Sequence, residues 1–331
     1  PRLDRGRAVP HTERMQLRAI PLGTSAGRPT LVRGASALAV AAPGGWALCD
    51  CGEGAQLAAQ RAGLSLSRLD AVLITHLHGD HFNGLPGLLG TLGLEGRERP
   101  LLVAGPRGLR ALLEALERHG ALGTGALPLR ILELTGPGGE IEWPEGLGLL
   151  RYQARPLAHR VPTYGFRVAL QDRPGTLNLQ AALAAGVPRG PLLAELKAGR
   201  AVRLEGGRTV TPEGLVGPTR PGACVAYALD TVPCASAVEL ARGADLLVHE
   251  ATYEHARAAL AHERGHSSGV EAARIAAEAG ARSLLLTHFS PSVDGELVAD
   301  EARAIHPATV AARDGVAVEV AGGGADSLEA S

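Results

Sequence analysis

The chain is poor in thiols, in lysine and in long apolar runs, and each shortage excludes a class of protein. Its four cysteines, Cys49, Cys51, Cys224 and Cys234, form no Cys-x-x-Cys pair, which excludes a structural zinc site built from thiolates. They lie in or beside apolar segments, which indicates reduced, buried packing residues in a cytoplasmic protein. No segment reaches the ~18 apolar residues of a membrane span, and no signal peptide is visible.

Charge and composition leave the function open but favour one fold class. Lys197 is the only lysine among 33 basic residues, so the positive charge is nearly all arginine, which is more typical of GC-rich coding than of recognition. The net charge is −1, and 331 residues with 45% hydrophobic composition can bury a substantial core. Apolar runs alternate with helical patterns, as at residues 101–104 before 107–119, which predicts a layered α/β architecture.

One short segment concentrates the side chains that bind metals. His76, His78, Asp80 and His81 follow directly on the apolar run 71–75, so they lie at the end of a predicted strand. Neutral imidazole and carboxylate bind zinc where no thiolate is available, and a catalytic zinc keeps about three protein ligands and an open position. Gly79 permits a sharp turn between the two pairs. The segment therefore predicts ligands for two neighbouring ions.

Two ions need more ligands than one loop offers, and three isolated residues elsewhere fit the need. His159, Asp230 and His288 each follow an apolar, strand-like run. Taken singly, each is more often a structural residue, but together they provide what a site at one edge of a sheet requires. Asp230 is the candidate bridge between the ions, because a shared carboxylate joins two cations and Asp80 already belongs to the loop.

The His-x-His-x-Asp-His loop with later His, Asp and His resembles the metallo-β-lactamase superfamily. Further segments resemble the ribonuclease Z family, the endonucleases that process the 3′ end of tRNA. They are Leu22-Gly23-Thr24-Ser25-Ala26-Gly27-Arg28-Pro29-Thr30, Asp50-Cys51-Gly52-Glu53-Gly54, Gly84-Leu85-Pro86-Gly87-Leu88-Leu89, Gly186-Val187-Pro188-Arg189-Gly190-Pro191, His249-Glu250-Ala251-Thr252 and His266-Ser267-Ser268. The loop alone indicates only the superfamily, whereas its combination with the other segments indicates the narrower family.

The resemblance implies a role for each candidate residue. It assigns His76, His78 and His159 to one zinc ion, Asp80, His81 and His288 to the other, and Asp230 to both. It also implies that His266 acts near the scissile phosphate, and that Glu250 orients it. The alternative for this segment is helix capping, because Ser267 and Ser268 precede the helical pattern 270–279. Leu229 departs from the family, in which glycine usually precedes the bridging aspartate, so the local geometry there is an open question.

This constellation predicts two-metal hydrolysis of a phosphodiester. Two ions roughly 3.5–4 Å apart can share a water and lower its pKa, so that hydroxide attacks the phosphate, while Asp80 orients the attack. An imidazolium at His266 would stabilise the departing oxygen. The expected products are a tRNA with a 3′ hydroxyl and a trailer with a 5′ phosphate. Two Zn²⁺ per subunit are expected, and Mn²⁺ or Fe²⁺ would also suit these ligands.

The segment of about residues 171–200 is predicted to be an insertion that projects from the surface. Proline and glycine are dense there, and the cations Arg173, Arg189 and Lys197 outnumber the nearby acids. The segment resembles the flexible arm with which ribonuclease Z grips tRNA, and phosphate contacts by these three cations are expected. The alternative is an ordinary solvated basic loop.

The resemblance also implies the domain organisation and the partners. It predicts a four-layer αββα sandwich over residues 15–320 with the arm inserted, residues 1–14 as a disordered extension or cloning remnant, and residues 321–331 as a disordered tail. Precursor tRNA and a second copy of the chain are the expected partners, whereas DNA and membranes are not. A small-substrate hydrolase, such as a phosphodiesterase or arylsulfatase, and a non-catalytic RNA-binding module are the alternatives.

Overall fold

The computed structural model describes residues 16–142 and 148–322, so the predicted disordered segment 1–14 and most of the predicted tail 321–331 lie outside the described residues. The first half begins with three consecutive strands, and helices lie between its later strands. In chain order they are β1 (Leu17–Gly23), β2 (Ala37–Ala42), β3 (Gly45–Cys49), α1 (Ala55–Arg61), β4 (Leu69–Leu73), α2 (Gly79–Phe82), α3 (Leu85–Leu94), β5 (Leu101–Pro106), α4 (Leu109–Arg118) and β6 (Leu129–Leu134).

The second half contributes the remaining elements. In chain order they are β7 (Gly139–Ile141), β8 (Leu150–Leu157), β9 (Thr163–Leu170), α5 (Leu179–Ala184), α6 (Pro191–Lys197), β10 (Val202–Arg203), β11 (Thr209–Val210), β12 (Cys224–Ala228), α7 (Ala235–Ala241), β13 (Leu246–Glu250), α8 (Ala258–Glu263), α9 (Gly269–Ala279), β14 (Ser283–Thr287), α10 (Gly295–Arg303), β15 (Thr309–Ala311) and β16 (Val318–Val320). No helix among the described residues has the length and apolar character needed to cross a membrane.

Two seven-stranded mixed sheets form the body of the fold. Their orders are β16-β1-β2-β3-β4-β5-β6 and β15-β14-β13-β12-β9-β8-β7. Strands β3 to β6 run parallel in the first sheet, and β12 to β15 run parallel in the second. Loops that follow the carboxyl ends of parallel strands meet at one edge of a sheet, which is where α/β proteins place their sites.

Each sheet is covered by helices on one face and by the other sheet on the opposite face. Val72 and Ile74 pack with residues of α1, α3 and α4, whereas Leu247 and Leu284 pack with residues of α7, α9 and α10. The fully buried Tyr227 of β12 reaches across to the first sheet, where its hydroxyl donates to Asp50 (3.0 Å). The predicted four-layer αββα sandwich is therefore confirmed.

The segment Leu170–Gly222 forms a compact unit of its own, which contains α5, α6, β10 and β11. Its small core consists of the buried residues Ala182, Val187, Leu196, Val202 and Val210. Asn178 caps α5 by accepting a hydrogen bond from the Ala181 amide (3.1 Å), and Pro191 begins α6. The predicted arm of about 171–200 falls inside this unit.

The four cysteines are free thiols, but their burial differs from the prediction in one case. Cys49, Cys51 and Cys224 are buried as expected, and burial raises the pKa of Cys224 to about 11. Cys234 is only half-buried, because it precedes α7 at the surface instead of lying within a strand.

Candidate metal centre

The predicted ligands come together from four different connections that follow strands. His76, His78, Asp80 and His81 lie on the loop and short helix after β4, and His159 lies between β8 and β9. Asp230 follows β12, and His288 follows β14. Gly79 does not make the sharp turn expected from the sequence: it is the first residue of α2 and is not among the glycines with positive φ, and a Cβ atom there would meet only the end of the Asn83 side chain, at 2.7 Å.

The atoms of the predicted ligands form two groups that meet at Asp230. The nitrogen and oxygen atoms of His76, His78, His159 and Asp230 all lie within 4.8 Å of one another, and so do those of Asp80, His81 and His288. One oxygen of Asp230 lies 3.2 Å from Nε2 of both His81 and His288, while the other lies 3.6 Å from Nε2 of His76. A single carboxylate thus faces both groups, as the bridging role requires.

Two polar atoms of the centre are buried without a hydrogen bond. Among the described residues, Nε2 of His159 and Oδ1 of Asp230 make no hydrogen bond. Burial and the neighbouring His81 lower the pKa of His76 to about 2, which leaves its imidazole neutral, the form that binds metal. Burial opposes the charge of Asp80, but the neighbouring His288 and His81 side chains hold its pKa well below the usual range. This donor set fits divalent cations.

The backbone adopts an uncommon conformation at three positions of the site. Among the described residues, Asp50, Asp230 and His288 are the non-glycine residues with positive φ, at 57°, 50° and 59°. Such conformations cost free energy and concentrate at functional sites. Leu229 is not among them, so the positive φ is at Asp230 itself. Leucine in place of the glycine that is usual in the family therefore causes no backbone strain at position 229.

His159 is held by an acceptor on the side away from the ligand groups. Nδ1 of His159 lies 2.8 Å from the Gly265 carbonyl oxygen, so this nitrogen carries the proton and leaves Nε2 free. Gly265 has φ +80°, and a Cβ atom there would lie 2.6 Å from Nδ1 of His159. Holding the distal nitrogen in this way fixes the tautomer that a metal ligand needs.

Asp50 connects the two ligand groups, a role that the sequence reasoning missed. Its carboxylate accepts from the Thr75 amide (2.8 Å) and hydroxyl (2.9 Å) and from the Tyr227 hydroxyl, and lies 2.7 Å from Nδ1 of His81. The Thr75 hydroxyl lies 3.0 Å from Nδ1 of His76. The signal was present, because Asp50 follows the apolar strand β3 just as Asp230 follows β12.

Glu250 and His266 lie beside the centre and contact each other. Nδ1 of His266 is 3.1 Å from Oε1 of Glu250 and 3.9 Å from Oδ2 of Asp230. Burial lowers the pKa of His266, but the carboxylate of Glu250 outweighs it and raises the value to about 9. Glu250 is itself buried and accepts from the amides of Thr231 (2.6 Å) and Ser267 (3.0 Å). A protonated imidazole is therefore held at the edge of the ligand groups.

Helix capping accounts for one of the two serines that follow His266. Ser268 is the N-cap of α9, and it forms a capping box with Glu271. Ser267 is used differently, since its hydroxyl donates to the Thr231 carbonyl (2.6 Å) and its amide to Glu250. Capping and the attachment of His266 to the site therefore coexist in one loop.

The loop after β1 also reaches the centre. The amide of Gly27 donates to Oδ2 of Asp80 (2.7 Å), and the amide of Ala26 donates to the Phe289 carbonyl, next to His288 (3.0 Å). Arg33 anchors the far end of the loop by donating to the Val293 carbonyl (3.0 Å). The segment 22–30 singled out in the sequence is thus hydrogen-bonded to the candidate ligand Asp80 and to the residue that follows the candidate ligand His288.

The three predicted tRNA-binding cations belong to the separate unit. Arg189 and Lys197 have exposed side chains, and Arg173 is half-buried with its backbone paired to that of Arg220. Arg200, also in this unit, forms an ion pair with Glu195 (2.5 Å).

Comparison with known proteins identifies relatives of the chain. Residues 30–153 match the metallo-beta-lactamase superfamily. The chain is 44% identical to a ribonuclease Z of Synechococcus sp. over 90% of its own length and 95% of the relative's. It is 42% identical to a ribonuclease BN of Escherichia coli, covering 88% and 96% of the two chains. A crystal structure of the short form of human tRNase Z superposes with a TM-score of 0.63 at 26% identity, over 91% and 98% of the two chains.

Proposed function

The chain belongs to the ribonuclease Z family, and we propose that it is the metal-dependent endoribonuclease that removes the 3′ trailer from precursor tRNA. The single observation that carries this is the junction of two ligand groups at Asp230 beside the Glu250–His266 pair. Relatives named ribonuclease Z that match over nine-tenths of the chain support the same assignment. Cleavage would leave a 3′ hydroxyl on the tRNA and a 5′ phosphate on the trailer.

The cofactor that we propose is a pair of Zn²⁺ ions per subunit, with Mn²⁺ or Fe²⁺ as the alternatives. His76, His78 and His159 would hold one ion, Asp80, His81 and His288 the other, and Asp230 would contact both. When bound, such a pair lowers the pKa of water and stabilises negative charge on phosphate oxygens. Imidazole and carboxylate ligands without thiolate suit these metals.

The protein's own groups supply orientation and a proton. The Gly27 amide donates a hydrogen bond to Oδ2 of Asp80. This bond fixes the carboxylate so that it can accept a hydrogen bond from the attacking water. His266, kept protonated by Glu250, donates its proton to the departing 3′ oxygen of the tRNA. The attack breaks the bond between phosphorus and this oxygen, so the phosphate stays with the trailer. Asp80, His266 and Glu250 are therefore the residues to which we assign the chemistry.

A chelator should abolish cleavage of precursor tRNA. The enzyme would be mixed with a 5′-labelled precursor tRNA that carries a 3′ trailer, and with a small chromogenic phosphodiester in parallel. We expect a cut just after the discriminator base, loss of that cut with chelator because the ligand groups lose their ions, and recovery with added Zn²⁺. Turnover of the small diester alone would move the function to a small-substrate hydrolase, and cleavage that resists chelation would contradict the metal assignment.

We further propose that the unit Leu170–Gly222 is an arm that binds tRNA through Arg173, Arg189 and Lys197. Replacing all three by alanine should raise KM for precursor tRNA about tenfold, since phosphate contacts dominate nucleic-acid affinity. The slope of log KM against log salt should also fall by about one per lost contact. Cleavage of the small diester should not change.

The matched control for the arm removes the same charge elsewhere. Arg61, Arg118 and Arg242 are exposed and lie outside the unit, so their triple alanine variant should keep the wild-type KM and salt slope. Equal losses on precursor tRNA and on the small diester in the arm variant would contradict the role of the arm.

The resemblance supports two broader proposals. One is a homodimer, to be checked by light scattering coupled to size-exclusion chromatography, where a monomeric mass would overturn it. The other is a cytoplasmic location, the compartment in which the four free thiols would stay reduced.

A further inference from the structure

Thr252 lies between the proposed proton donor and the second ligand group. This residue follows β13 by two positions and is buried. Its hydroxyl oxygen is 2.6 Å from Oε2 of Glu250 and 3.0 Å from Nδ1 of His288. No role follows for it from the ligand groups or from the Glu250–His266 pair alone.

The positions of the hydrogen atoms around Thr252 can be counted. Each oxygen of Glu250 already receives a backbone amide, from Thr231 at Oε1 and from Ser267 at Oε2, so both oxygens act as acceptors. A hydroxyl has one hydrogen, and the Thr252 hydroxyl donates it to Glu250. Towards His288 the same oxygen can only accept, so the proton of His288 lies on Nδ1.

This allocation determines which nitrogen of His288 is available as a ligand. With Nδ1 protonated, Nε2 presents its lone pair where it lies 3.2 Å from Asp230 and 3.3 Å from Nε2 of His81. We propose that Thr252 is a positioning residue that fixes the ligand tautomer of His288 and ties it to the carboxylate that orients His266. The proposal rests on the proposed function only for its link to cleavage, because the effect on His288 concerns metal binding alone.

The first half of the chain repeats the arrangement with other residues, which supports the interpretation. Thr75 donates to both oxygens of the buried Asp50 (2.9 and 3.0 Å), and its oxygen lies 3.0 Å from Nδ1 of His76. Each ligand group therefore contains one histidine that is held by a threonine hydroxyl, which in turn is held by a buried carboxylate. Hydrogen bonds to the distal nitrogen raise the basicity of a metal-ligating histidine and fix its ring.

The test compares Thr252→Val with Thr252→Ser. Valine keeps the shape but loses the hydroxyl, so we expect one of the two Zn²⁺ ions to bind about 10–100-fold more weakly while the other is unaffected. Titration of the metal-free protein against a competing chelator measures this without any substrate. For precursor tRNA, kcat should fall by a similar factor with little change in KM. Serine keeps the hydroxyl and should restore both values.

Two controls keep the result interpretable. Thr309→Val removes the hydroxyl of another buried threonine, which donates to the His306 carbonyl (2.5 Å), and should leave metal affinity and kcat unchanged. Thermal unfolding of the metal-free proteins checks that Thr252→Val still folds. The proposal is overturned if Thr252→Val binds both ions like the wild type, or if Thr252→Ser is as defective as valine. If the wild type binds two ions but fails to cut precursor tRNA, the proposed function fails while the metal titration still decides the role of Thr252.

Discussion

The variant Asp230→Asn should lose at least about three orders of magnitude in kcat/KM on precursor tRNA, because a metal pair contributes several kcal/mol of charge stabilisation. One carboxylate faces His81 and His288 with one oxygen and His76 with the other. Asparagine has nearly the same shape and tolerates the positive φ of 50° at this position. The change therefore removes the charge that both ions would share and little else.

The metal content of Asp230→Asn should fall together with its activity. Zinc would be measured by atomic absorption after dialysis, and cleavage with the labelled precursor tRNA in the same preparations. Asp300→Asn is the matched control, since this carboxylate is on the surface and should affect neither value. An Asp230→Asn enzyme with full zinc content and wild-type cleavage would rule out the bridging role.

The sequence predicted the ligand groups because each member carries a local signal. A polar, metal-binding side chain directly after an apolar run marks the end of a strand, and strand ends in such folds gather at one edge. His159, Asp230 and His288 were found in this way although they are far apart in the chain. The structure brings these residues into two groups with atoms within 4.8 Å.

The same reasoning could have found Asp50, which follows an apolar run, but it could not predict the partners of this carboxylate. Asp50 is hydrogen-bonded to Thr75, 25 positions away, and to Tyr227, 177 positions away. Neither periodicity nor composition records such a pairing, because it depends on how the two sheets face each other. The order of the strands was equally out of reach, since β16 joins the first sheet beside β1 from the opposite end of the chain.

The alkaline limit of cleavage should depend on Glu250. In the wild type the pKa of His266 is raised to about 9, so the imidazolium persists below that pH and is lost as the pH rises through it. kcat/KM should therefore fall above pH ~9, if His266 must donate a proton to the departing oxygen. If His266 had only a structural role, kcat/KM would show no such fall at alkaline pH.

Glu250→Gln should move this limit to lower pH and reduce the rate. Without the carboxylate, burial is the dominant influence on His266 and drives its pKa below the ordinary value of about 6.5. The imidazole would then be neutral at pH 7.5, and kcat should drop by about 10²–10³-fold, the contribution typical of a general acid. His266→Ala should show a similar rate without any alkaline limit.

Rate–pH profiles of the wild type, Glu250→Gln and His266→Ala on precursor tRNA measure the shift of the alkaline limit. Glu263→Gln, a neutralised surface carboxylate, is the control and should keep the limit near 9. If Glu250→Gln kept that limit as well, the group that titrates there would not be His266. If instead Glu250→Gln lost its zinc, the carboxylate would act chiefly on metal binding, through Thr252 and His288. His266→Ala separates this role from proton donation, because it leaves the contacts between Glu250, Thr252 and His288 intact.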